Sequence, residues 1–91
     1  MATVEKTLTL MNKVGLHARP ASLWVQTAAR FEAHILVTCG ERTADAKRIL
    51  EVLQLGAAYG AVLSIRAEGE DAEAAVAALA NLVHSRFGEA E

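Results

Sequence analysis

At 91 residues the chain can form one compact core but not two, so a single domain over 1–91 is expected and any function must be read from one surface. Hydrophobic residues make up 53% of it, which sets it apart from disordered chains, yet aromatics are only 4%, so the core should be small and aliphatic. Nine Lys plus Arg against eleven Asp plus Glu give a net charge of −2, with no basic cluster interleaved with aromatics, which argues against nucleic acid as a partner.

In chain order, Val4 to Leu10 sets Val4, Leu8 and Leu10 against Glu5, Thr7 and Thr9, the alternation of a half-buried strand, with Lys6 as an exception on the apolar side. After the turn-like Asn12-Lys13-Val14-Gly15 the apolar spacing becomes helical, with Ala21, Trp24, Val25, Ala28 and Ala29 on one stripe and a start close to Pro20. His34 to Cys39 alternates again, Gly40-Glu41 punctuates it, and Arg42 to Ala44 completes a hairpin. A short helix is expected from Asp45 through Leu55, with Gly56 as its stop; Ile49, Leu50, Val52 and Leu53 exceed what one helix face can bury. Ala61 to Glu68 reads as a strand with Leu63, Ile65 and Ala67 inward. The last helix begins among Glu70, Asp71 and Glu73, acids that suit the positive end of a helix dipole, and its expected stripe is Val76, Leu79, Val83 and Phe87.

The order β-α-β-β-α-β-α, in which each helix has a single apolar stripe, predicts an α+β open-faced sandwich: a four-stranded antiparallel sheet with three helices on one face. Domains of this size bury only about 60–65% of the surface of the unfolded chain, so a shallow surface site is expected rather than a deep cavity. The lone Cys39 has no disulfide partner and reads as a small core residue, while Trp24 on the helical stripe reads as core or its rim. The first residues carry neither a signal peptide's apolar run nor a membrane-spanning stretch, so a cytoplasmic protein without membrane insertion is expected. His34 and His84 lack a second ligand at metal spacing, and neither a metal nor a cofactor is expected.

The chemically informative stretch is Gly15-Leu16-His17-Ala18-Arg19-Pro20-Ala21. Proline is tolerated in a helix's first turn, which places His17 at the N-cap. An imidazole caps exposed amides poorly compared with Ser, Thr, Asp or Asn, and open amides at a helix start attract phosphate. Arg19 adds a planar, permanently charged donor, so Ala18 and Arg19 are the candidate phosphate-binding residues. The positive end of the dipole disfavours imidazolium, so His17 is expected to be neutral, with a ring lone pair free to attack. On these grounds alone, a histidine that merely begins a helix beside a solvated arginine accounts for the segment equally well.

The run Asn12 to Ala21 resembles the active-site signature of HPr, the phosphocarrier of the bacterial phosphoenolpyruvate-dependent sugar phosphotransferase system. The similarity continues through Asp45 to Leu50, Leu55-Gly56, Ala67-Glu68-Gly69 and the acidic start of the last helix, and so covers essentially the whole chain. The resemblance implies that His17 is phosphorylated on Nδ1 by enzyme I and donates to IIA domains of sugar permeases, with Arg19 holding the phosphoryl group. It also implies a docking patch of Ile49, Leu50 and Leu53, and a monomeric carrier with a covalent phosphohistidine rather than a self-sufficient enzyme. Many members carry a regulatory serine where this chain has Arg48, which has no hydroxyl to esterify, so regulation there is not expected. Three alternatives stand beside the sugar-branch carrier. One is an HPr-like carrier of a nitrogen branch with a regulatory role, and another is a pure interaction module, against which the retained His17 argues. The third is a hydrolase with a histidine nucleophile, which needs a general acid, and no carboxylate in the sequence is placed for that role.

Overall fold

The computed structural model describes residues 2–89. Its elements are β1 (Thr3–Thr9), α1 (Ala18–Ala28), β2 (His34–Cys39), β3 (Arg42–Asp45), α2 (Ile49–Gln54), β4 (Val62–Glu68) and α3 (Ala72–His84), followed by a 3₁₀ turn over Arg86–Gly88. The strands form one antiparallel sheet in the order β1-β4-β2-β3. Leu8, Ile35, Val37, Ala44, Leu63, Ile65 and Ala67 face inward and are buried, while Val62, Ser64, Arg66 and Glu68 on the opposite face of β4 are exposed. The helices therefore cover a single face, and the predicted open-faced sandwich is the observed one.

Several boundaries differ from the sequence reading. The second helix does not begin at Asp45. That residue ends β3 opposite Leu36, and its carboxylate accepts the Lys47 amide at 2.9 Å in a turn that delays the helix to Ile49. Gly56 does stop the helix, at φ +65°. Ala29 is exposed as the C-terminal cap of α1, so the buried stripe is Pro20, Ala21, Trp24 and Ala28. Cys39 is only half-buried at the hairpin end.

Phe87 does not lie on the stripe of the last helix. α3 ends at His84, and Arg86 and Phe87 both take φ +55°, turning the chain inward. This turn buries the Phe87 ring at 6.5 Å from Trp24. α3 has 13 residues and is about 20 Å long, close to the roughly 23 Å of the seven-residue β4. It leaves the end of β4, runs back along β4 and β1, and delivers the C-terminal segment to the edge where β1 leads into α1.

Candidate functional site

His17 is the N-cap of α1, with φ −82° and ψ −172°, and its side chain makes no capping bond. The helical ladder begins with the Ala21 amide donating to the His17 carbonyl at 2.9 Å. Pro20 has no amide to satisfy, so Ala18 and Arg19 supply the N–H groups of the helix start. Ala18 and Arg19 are exposed, and the His17 side chain is 38% exposed.

The loop before His17 is held from two sides. Leu16 donates its amide to the Ala57 carbonyl at 2.9 Å, and Gly15, at φ +73°, lies so close to this strand-entry loop that a Cβ would fall 2.5 Å from the Ala57 oxygen. Asn12 is fully buried, and its Nδ2 donates to the Gly15 carbonyl at 2.7 Å and to Glu89 Oε1 at 2.9 Å. Its Oδ1 has no partner among the described residues.

Glu89 completes the cluster from 72 residues away: its Oε2 lies 3.1 Å from His17 Nε2 and 4.0 Å from Arg19 Nη1. The bond from Asn12 holds the Glu89 carboxyl below its ordinary value of 4.5; partial burial opposes this, and the hydrogen bond of His17, its charge when it is protonated and the charge of Arg19 add to it. Tertiary folding therefore brings to the histidine a carboxylate that nothing in the local sequence pointed to. It does not act as a general acid, because it is held ionised and faces the ring nitrogen as an acceptor.

Asn12 and Glu89 are the residues that sequence reasoning missed. Asn12 sits in the recognised run but reads there as a turn residue. Glu89 has no local signal in the sequence, since its partners His17 and Arg19 lie about seventy residues away along the chain.

The second candidate group lies on α2. Leu50 is 71% exposed, and Ile49 and Leu53 are each 37% exposed, whereas Val52 enters the core. Arg48 caps this helix without a side-chain capping bond, and its exposed guanidinium lies 3.7 Å from Asp45 and 3.8 Å from Glu51. Among the described residues no helix is long and apolar enough to cross a membrane.

A family model described as "PTS HPr component phosphorylation site" matches residues 4–85, which contain this loop and helix start. The chain belongs to that family. It is 40% identical over 86 residues to the phosphocarrier protein HPr of Xylella fastidiosa, covering 94% of this chain and 97% of the relative. It is also 38% identical over 90 residues to the phosphocarrier protein NPr of Shewanella violacea, covering 99% of each. Among solved structures, HPr from Thermoanaerobacter tengcongensis superposes with a TM-score of 0.93 at 44% identity, covering 97% of this chain and 99% of that one.

Proposed function

We propose that this chain is a cytoplasmic, monomeric phosphocarrier that accepts a phosphoryl group on His17 from phosphorylated enzyme I, with phosphoenolpyruvate as the ultimate donor. It then passes the group to IIA domains of sugar permeases. The observation that carries this reading is the placement of His17: a half-exposed imidazole at a helix start with no side-chain cap, with Arg19 two positions on, in a chain of the HPr family. The ring nitrogen attacks phosphorus as the bond to the donor breaks, and the Ala18 and Arg19 amides with the Arg19 guanidinium stabilise the transferring charge. The partner supplies the rest of the catalytic machinery, so the chain alone turns over nothing. Ile49, Leu50 and Leu53 form the docking patch, and exposing apolar side chains that the core does not need supports this role.

A second reading, a carrier for a nitrogen-related branch, is favoured by the match to an NPr protein and by Arg48 standing where a regulatory serine is common. Incubation with enzyme I and labelled phosphoenolpyruvate tests the shared claim. The expected product is an acid-labile, base-stable phosphohistidine that His17→Ala abolishes, and an unlabelled wild-type protein would sink the proposal. Comparing the rates of onward transfer to sugar-branch and nitrogen-branch IIA domains separates the two branches.

A further inference from the structure

We infer that Glu89 is a positioning residue that selects which nitrogen of His17 is the nucleophile, an inference that rests on the phosphocarrier reading. A neutral imidazole carries one ring proton, and the nitrogen without it is the one able to attack. His17 Nε2 lies 3.1 Å from Glu89 Oε2, and an ionised carboxylate can only accept. Nε2 must therefore hold the proton, which leaves the lone pair on Nδ1.

The carboxylate is itself fixed. Its other oxygen accepts from Asn12 Nδ2 at 2.9 Å, and the second hydrogen of that amide is committed to the Gly15 carbonyl at 2.7 Å, so the Asn12 amide cannot turn round without losing both bonds. Two residues earlier, Phe87 is packed against Trp24, which anchors the segment from which Glu89 reaches the ring.

In the transfer step the Nδ1 lone pair forms the bond to phosphorus while the electron pair of the breaking bond stays on the donor atom, and the donor leaves dephosphorylated. The product imidazole carries phosphorus on Nδ1 and hydrogen on Nε2 and is cationic. Glu89 offsets that charge without removing the proton, and the reverse step restores the same tautomer. The arrangement matches the way a buried carboxylate sets the tautomer of a catalytic histidine elsewhere, although here the carboxylate comes from the far end of the chain.

Substitution of Glu89 by glutamine makes the inference testable, because Asn12 Nδ2 still claims the amide oxygen and so turns the amide NH₂ toward Nε2. That nitrogen must then accept, and the proton moves to Nδ1. Long-range ¹H–¹⁵N correlation NMR of the unphosphorylated protein at about pH 8.5, well above the usual histidine range, reads the tautomer directly. The wild type is expected as the Nε2–H form, Glu89→Gln as the Nδ1–H form, and Glu89→Ala as a mixture. Phosphorylation by enzyme I is expected to slow about tenfold in Glu89→Gln, the size of one hydrogen bond's preference. A wild-type Nδ1–H tautomer, or one unchanged in both variants, overturns the inference. Because the spectra need no phosphoryl donor, the expected tautomer pattern in a protein that enzyme I never labels would support Glu89's role while striking down the carrier reading alone.

Discussion

Gly15 shows how closely the loop around His17 is determined by backbone geometry. Its φ of +73° lies in the left-handed region, and a Cβ would meet the Ala57 oxygen at 2.5 Å and the Ala58 Cα at 2.6 Å. Those atoms belong to backbone that also receives the Leu16 amide, so they cannot retreat without breaking that bond. Gly15→Ala is therefore expected to cost about 2 kcal/mol or more in urea unfolding. It should also slow phosphorylation of His17, because the loop that orients the ring must move. An alanine variant of wild-type stability would show that the loop has slack. Leu50 makes the opposite case, since its side chain is 71% exposed and contributes little to the core. Leu50→Asp should change stability by less than about 0.5 kcal/mol. If α2 is the docking surface, it should raise the KM of enzyme I for this protein about tenfold. An unchanged KM would place the docking surface elsewhere.

The join between α1 and β2 is closed by the start of α3. Asp71 accepts the amides of Glu32 and Ala33, both at 2.8 Å, and so ties the loop before β2 to the first residues of the last helix. The bond from Glu32 is the main reason its carboxyl sits below the ordinary 3.8; burial opposes it, and the Ala33 amide, its own amide and the charge of Lys47 reinforce the lowering. A carboxyl lowered in the folded state stabilises fully above the unfolded pKa. That contribution is lost as pH falls from about 3.8 through the lowered folded value. Asp71→Asn should thus lower stability at neutral pH and flatten the acid limb of a stability-against-pH curve below about pH 4. A variant with the wild-type acid limb would show that the clamp is not ionised in the fold. α2 is positioned by comparable local bonds: the Lys47 ammonium donates to the Phe31 carbonyl at 2.6 Å, and Arg42 Nη1 donates to the Gln54 carbonyl at 2.7 Å.

Taken as a whole, the molecule ties its last described residues to the His17 loop through the core. Strand order β1-β4-β2-β3 puts the end of β1 beside the start of β4, and α3 returns along both strands to that same edge. There the chain turns through two residues at φ +55°, and Phe87, only 2% exposed, enters the core against Trp24 of α1. Phe87→Ala removes a buried aromatic and should cost about 3 kcal/mol. It should also alter Trp24 fluorescence and release Glu89 from His17, so that the tautomer preference weakens together with stability. Wild-type tautomer populations in a destabilised Phe87→Ala protein would show that Asn12 alone holds Glu89 in place.

Much of the fold was legible because its signals are local. Alternation in β1, β2 and β4, the stripe Ala21-Trp24-Ala28, the glycine stop at Gly56 and the unusual histidine N-cap each depend on a few neighbouring residues. The misplaced limits have a common cause. Asp45 and Phe87 match helical patterns by type, but a sheet partner at Leu36 claims the first and a left-handed turn redirects the second. The sequence alone pointed to His17 and Arg19 as candidates, since helix-start chemistry is written within one turn. That Glu89 meets His17 Nε2 was decided only by the tertiary structure, because the contact closes a loop of 72 residues whose ends are brought together by core packing and not by any local preference.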